Sequence, residues 1–275
     1  MYRSANIELL GLLGLVSGLV AIHLSLAFRG DNIDLIGSSV LYWLAIAILF
    51  SRKHDRLKLG SDRLSTLFGT LLIAIVLIKS WFIAGSDIFL RLSPALSMIG
   101  LGLIASGRKG MKQYQHEIWL LILFAIPPGL VLLFFDPSLL TAKFAGFALW
   151  CLGFQVSVQG ITVSLPRGAI EVYTGCSGVA IMLQLLGVAV MNLFLVMPKL
   201  YQKILIPAIA ILIAFVVNGF RVALLAVIVA LGNQEAFDYW HVGDGSLVFS
   251  TIAVVIFSLM CQQLLPSEAD HDKDV

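Results

Sequence analysis

Nearly uncharged apolar runs, most of them about as long as a bilayer core is thick, recur from one end of this sequence to the other and leave few folds open. They fall at about 7–28, 35–50, 64–84, 93–107, 118–135, 176–197, 204–231 and 246–265. About 20 helical residues cross a hydrocarbon core of about 30 Å, so each run reads as a spanning helix. With 59% hydrophobic and 12% charged side chains in 275 residues, and a mean hydropathy of +0.98, no water-soluble globule could bury the surplus. The expectation is an all-α polytopic membrane protein, a single integral membrane domain over 1–275 with about eight transmembrane helices. Run 7–28 is too long and too apolar for the core of a cleaved signal, and no small-residue cleavage pattern follows it before Arg29, so it is expected to remain as the first span. No internal repeat is visible, which weighs against a transporter built from duplicated halves.

The net charge of +2 says little, but its distribution fixes an orientation. Arg52, Lys53, Arg56, Lys58 and Arg63 crowd one connection, Arg108, Lys109 and Lys112 another, and Lys199 and Lys203 a third. The positive-inside rule places those loops in the cytoplasm, with Arg3 and Lys273, so both termini and the tail at 266–275 are expected there. Only Arg29, Arg91, Lys143 and Arg167 fall outside, while Lys79 and Arg221 lie within spans. Between the second and third cytoplasmic loops the chain must cross an even number of times. Three apolar runs lie there, counting an extra one at about 139–156. That extra run follows Asp136-Pro137 and carries Lys143 and Gln155, so it is expected to lie in the outer interface or to dip in and return.

This parity puts residues 157–176 on the outer face. Ile161-Thr-Val-Ser-Leu165 alternates, Pro166-Arg167-Gly168 supplies turn chemistry, and Ala169-Ile-Glu-Val-Tyr173 resumes, which predicts a short extracytoplasmic β-hairpin. The second strand runs into Thr174-Gly-Cys-Ser-Gly178, with Cys176 near the start of a long apolar helix. A thiol at a helix N-terminus sits in the field of unsatisfied backbone N–H groups, which favours the thiolate. The strand, glycine turn and helix have the geometry of a nucleophile elbow, although Thr174 stands where that motif has its first glycine. Cys151 and Cys261 read as small apolar residues. Three scattered cysteines suggest neither a disulfide framework nor a metal site, and all are expected as thiols.

Two further polar groups are expected at the depth of Cys176. Arg221 lies 17 residues beyond Ile204, about 26 Å along a helix and close to the outer edge of the core. A guanidinium there must face protein or water; it is either functional or a snorkelling structural group. Asn218, one turn earlier on the same face, could fix the guanidinium, contact a substrate, or bridge helices. His241 follows in the aromatic-rich outer connection Phe237-Asp-Tyr-Trp-His241; its plain alternative is an interfacial histidine. His54 and His116 fall in cytoplasmic basic loops and His271 in the polar tail, which leaves His23, near the outer end of the first span, as the rival. Cysteine, histidine and arginine form a coherent set: a nucleophile, a proton carrier, and a donor for thiolate or oxyanion. No HExxH, paired Cys/His spacing or intramembrane carboxylate pair occurs, so zinc or aspartyl intramembrane proteolysis is disfavoured, and no metal or cofactor is expected.

Cys176-Ser177-Gly178, Asn218-Gly-Phe-Arg221 and Trp240-His241, in that order and spacing, resemble the motifs of the exosortase/archaeosortase family of multi-pass membrane cysteine transpeptidases. Glu171-Val-Tyr-Thr-Gly175 is similar to the cyanobacterial exosortases within it. With Pro127-Pro128, the interfacial run and the hairpin, the resemblance marks 118–265 as a catalytic core, preceded by four generic spans in 1–117. It implies Cys176 as the acyl-accepting nucleophile, Arg221 as transition-state stabiliser and His241 as general acid or base, with Asn218, Ser177 and Gly178 binding or supporting. It implies substrates that are exported proteins with a C-terminal sorting tail: a Pro-Glu-Pro-like (PEP-CTERM) motif, a transmembrane helix and a basic cluster. An enzyme of the inner (plasma) membrane, linked to exopolysaccharide export and without nucleic-acid partners, follows from the same likeness. The hairpin is expected to receive the extended motif by strand addition. Competing readings are a non-catalytic scaffold, a small-anion transporter using Arg221, and a cysteine protease that only hydrolyses.

Overall fold

A computed structural model describes residues 2–30, 33–82, 88–196 and 198–265. The tail at 266–275, with His271 and Lys273, and the side chain of His54 lie outside the described residues. The protein is all-α and polytopic, with one small antiparallel sheet. Seven stretches among the described residues are long and apolar enough to cross a membrane: 10–29, 33–51, 63–81, 88–125, 174–195, 202–230 and 245–264. Two compact units divide the chain between Pro127 and Pro128.

The N-terminal unit holds α1 (Tyr2–Arg29), α2 (Ile33–Ser51), α3 (Arg63–Trp81), α4 (Ile88–Gly110) and α5 (Gln115–Ala125). Helix α3 starts where Asp62 accepts the Ser65 N–H at 3.1 Å, capping an otherwise orphaned donor. The stretch 88–125 is not one rod. Gly107, at φ 62° and ψ 178°, breaks the α4 ladder, a conformation that costs a side chain dearly, and α5 packs back against α4. Two polar clusters pin this unit from inside. His23 on α1 bonds the Leu90 carbonyl through Nε2 at 3.0 Å and accepts from Trp43 Nε1 at Nδ1 at 3.0 Å. Lys53 Nζ meets Glu117 Oε2 at 2.6 Å and also donates to the Gln113 carbonyl.

The run expected at 118–135 is helical in two pieces, because Pro127-Pro128 interrupts the ladder after Ala125; a short helix, α6 (Pro128–Leu132), opens the C-terminal unit. It is followed by α7 (Ser138–Cys151), 14 residues long. At about 21 Å, α7 is too short to cross the core, as charge parity required. Its Ala142, Ala145 and Ala148 are buried, while Leu140, Phe147 and Trp150 face outward.

Three strands come next: β1 (Ser157–Gln159), β2 (Thr162–Leu165) and β3 (Gly168–Glu171), in the order β1-β2-β3. Leu165 pairs with Gly168 across the Pro166-Arg167 turn, as the sequence pattern predicts. The hairpin gains a third strand, since Ser157–Gln159 pairs with β2 through Ser157–Ser164. Val163 and Leu165 point into a core shared with α7 and the helix α9 described below. Beyond the sheet, α8 (Val179–Leu195), α9 (Gln202–Ala230), α10 (Gln234–His241) and α11 (Gly245–Leu264) complete the unit. Helix α9 is its centre, packing against α7, α8, α10, α11 and the sheet, so residues on α9 reach everything around them.

Candidate functional site

Strand β3 hands the chain to the cysteine in three steps. Val172 prolongs the sheet by donating its N–H to the Ile161 carbonyl at 2.9 Å. Thr174–Cys176 then forms a single 3-10 turn, closed by the Cys176 N–H on the Tyr173 carbonyl at 2.8 Å. Ser177 turns its hydroxyl back to the Thr174 carbonyl at 2.6 Å, and Gly178 reverses the backbone at φ 96° before α8 begins. A β-carbon there would lie 2.7 Å from Asn218 Nδ2, so glycine is needed for both conformation and space. This corrects the expectation that Cys176 sits in the first turn of the apolar helix. The left-handed residue Gly178 separates the cysteine turn from α8, and the thiol belongs to a turn of its own.

Two side chains hold that turn from outside. Asn218 Nδ2 donates to the Cys176 carbonyl at 2.9 Å, and Thr141 Oγ1 on α7 donates to the Ser177 carbonyl at 2.9 Å. Asn218 and Thr141 are fully buried and Cys176 is 6% exposed. Buried donors that reach backbone carbonyls fix the main chain more firmly than apolar packing does. Of the roles the sequence left open to Asn218, the observed bond is to the Cys176 backbone rather than to the guanidinium.

His241 ends α10, a helix opened by Asn233, whose side chain accepts the Ala236 N–H at 2.9 Å. The His241 ring lies against Phe237, one turn back, with centroids 4.8 Å apart and planes inclined by 31°. Its Nε2 is 3.1 Å from Cys176 Sγ and 3.1 Å from Tyr173 Oη. Arg221, 7% exposed, reaches across from α9 and donates through Nη2 to the His241 carbonyl at 2.6 Å. Its Nε is buried without a hydrogen-bond partner among the described residues. Cys176, Arg221 and His241, which sequence placed at one depth, thus form one connected cluster with Asn218.

Tyr173 was not singled out from sequence, and a signal for it existed. Side chains three apart in a 3-10 turn stack on one edge, which aligns Tyr173 with Cys176. The Tyr173 hydroxyl is pushed above its ordinary value by burial first, then by the neighbouring Cys176, against the lowering field of Arg221. It therefore remains a proton-bearing donor at neutral pH.

The other candidates fall elsewhere. His23 has both ring nitrogens engaged within the N-terminal unit. Cys151 is exposed at the end of α7, Cys261 is buried in α11, and no disulfide joins the three cysteines. No group of three or more His, Cys, Asp or Glu among the described residues is arranged to hold a metal ion.

The family model described as transmembrane exosortase matches residues 32–258, a span that includes every residue of the cluster. No curated protein and no solved structure matches the chain.

Proposed function

The chain belongs to the transmembrane exosortase family, and from that premise we propose that it is a membrane-embedded cysteine peptidase or transpeptidase acting at Cys176. The approach of Cys176 Sγ to His241 Nε2, 3.1 Å, carries this reading, because it is the reach a proton needs to pass from thiol to imidazole. The thiol gives its proton to Nε2. The thiolate then adds to a backbone carbonyl of the substrate, and the C=O π pair moves onto oxygen. As the C–N bond breaks, Nε2–H delivers its proton to the leaving amine and a thioester remains on Cys176. An acceptor O–H or N–H next adds to the thioester, its proton goes to Nε2, and the thiolate departs.

Arg221 has two roles in this proposal. Its bond to the His241 carbonyl holds the base in place, and its permanent charge stabilises negative charge on sulfur and substrate oxygen. Asn218, Ser177 and Gly178 are supporting groups that shape the cysteine turn. The substrate in this proposal is an exported protein whose sorting tail places a Pro-Glu-Pro-like motif beside the site. Anchoring by the substrate's own membrane helix turns the encounter into a positioned, effectively intramolecular step. The sheet at 157–171 offers strand edges to an extended motif. Loop charge favours an outward-facing site in the inner membrane with both termini in the cytoplasm.

The test is processing of a co-expressed, tagged protein that carries the motif, a transmembrane helix and a basic tail. Wild-type chain shortens it, Cys176→Ala leaves it full length while still accumulating in the membrane, and mass spectrometry of the new C-terminus identifies the acceptor. Processing by the Cys176→Ala variant at the wild-type rate ends the cysteine mechanism.

A further inference from the structure

The cluster contains one more polar group at reacting distance than the cysteine, histidine and arginine account for. Tyr173 Oη lies 3.1 Å from His241 Nε2, the same nitrogen that Cys176 Sγ approaches at 3.1 Å. Nε2 offers one site for a hydrogen bond, and two groups approach it. When Nε2 holds the thiol's proton, its N–H serves the sulfur, and the Tyr173 O–H must turn to another acceptor. The only negative charge the first chemical step creates beside the sulfur is on the substrate oxygen. In a tetrahedral adduct that oxygen is bonded to the carbon that Sγ has just joined, beside the imidazole nitrogen that Sγ and Tyr173 Oη both approach, where the phenol O–H is the directed donor at hand.

Most other side-chain donors around the turn are committed elsewhere, and Arg221 Nε, without a hydrogen-bond partner among the described residues, is buried. Asn218 Nδ2 is bound to the Cys176 carbonyl, the Ser177 hydroxyl to the Thr174 carbonyl, and Arg221 Nη2 to the His241 carbonyl. Tyr173 differs from these groups in its access as well. It is 48% exposed, whereas Cys176, Asn218 and Arg221 are buried, so its hydroxyl stands on the side from which a substrate must arrive. Its ring meets the His241 ring edge-on at 6.0 Å, which limits the positions its hydroxyl can take. The resistance of the phenol to ionisation keeps the donor in place across neutral pH.

We propose that Tyr173 is a catalytic residue of this site, its hydroxyl donating a hydrogen bond to the oxyanion formed when Cys176 attacks a substrate carbonyl. No proton leaves the phenol: it donates to the oxyanion while the adduct exists and returns to its resting partners when the C=O bond reforms. Arg221 then supplies a diffuse field and Tyr173 the directed donor. The proposal rests on Cys176 being the nucleophile, and its test separates the two.

The experiment uses the purified full-length chain in detergent with two probes. Iodoacetamide reports on the thiolate alone, because alkylation forms no oxyanion. A peptide aldehyde ending in Pro-Glu-Pro adds to a thiolate reversibly and creates the oxyanion. Tyr173→Phe keeps the ring and removes only the hydroxyl. It is expected to leave the alkylation rate of Cys176 within about twofold of wild type and to weaken the aldehyde by about 100-fold, the usual scale for a lost oxyanion donor. Equal loss with both probes would show that Tyr173 only tunes the thiol, and unchanged affinity for the aldehyde would show that the hydroxyl does not reach the oxyanion; either overturns the proposal. Failure of both probes to modify wild-type Cys176 would instead remove the nucleophile, and the proposal with it.

Discussion

Replacing Gly178 by alanine is a direct test of how the cysteine turn is held. Two costs add at this position. The residue sits at φ 96°, and an L side chain in left-handed backbone costs about 1–2 kcal/mol. The new methyl would also stand 2.7 Å from Asn218 Nδ2, so Asn218 must withdraw from the Cys176 carbonyl that it bonds at 2.9 Å. Loss of a fully buried hydrogen bond costs about 1–3 kcal/mol. Gly178→Ala should therefore destabilise by about 2–5 kcal/mol. The two terms separate in a double-mutant cycle. In an Asn218→Ala background the methyl meets no amide, only the β-carbon of residue 218 at 3.1 Å, and the penalty falls toward the backbone term of about 1–2 kcal/mol. Unfolding of solubilised protein by SDS titration, followed through tryptophan fluorescence, reads all four corners. An equal penalty for Gly178→Ala in both backgrounds would refute the claim that Gly178 makes room for Asn218.

Arg221→Lys is expected to retain folding but to lose processing of a tagged substrate by about 100-fold or more, because an ammonium does not reproduce the guanidinium's directed bond to the His241 carbonyl while it also supplies the charge; near-wild-type processing would reduce Arg221 to a structural group. In the N-terminal unit, Glu117 is buried with Lys53 Nζ at 2.6 Å from one oxygen and, among the described residues, no hydrogen-bond partner on the other. Lys53→Met should cost about 3–5 kcal/mol by leaving that carboxylate alone, and Lys53→Met/Glu117→Gln should recover a substantial part. SDS titration of the single and double variants decides it, since equal stability in both would mean the pair contributes nothing.

Fold class was legible because the signals for it are cumulative. Many apolar side chains must all find lipid or protein, and basic residues in alternate loops report where the chain turns. The shortness of α7 fits the expectation from parity, which left one run too many at 139–156. Breaks within runs were harder to place. Pro127-Pro128 splits 118–135, yet the hydropathy of the flanking residues continues almost unchanged across it, whereas Gly107 breaks the α4 ladder just where the basic Arg108-Lys109 begins. At the site, Cys176, Arg221 and His241 stood out because each is costly or unusual at its depth. The partners they choose were not visible: Asn218 was open to bonding the guanidinium, a substrate or a neighbouring helix, and its bond to the Cys176 carbonyl depends on a turn that the sequence pattern does not show. Tyr173 stayed hidden because a tyrosine at a membrane interface needs no special explanation, and its alignment with Cys176 requires a 3-10 turn where an α-helical start was expected.

The carbonyls around the cysteine turn point to a further consequence. Those of Tyr173, Thr174, Cys176, Ser177 and Gly178 are each hydrogen-bonded, to the turn itself, to Asn218, to Thr141 or to the first turn of α8. A backbone so tethered has no hinge, and any displacement of the turn toward an incoming chain would break several bonds at once. For a nucleophile, that makes the cysteine a fixed mark at a set height, and the adjustment falls to whatever approaches it. A pliable stretch of substrate at the right distance from its membrane anchor would meet the mark, while a longer or shorter one would miss it. Selection would then work as a ruler does, by length measured from the bilayer.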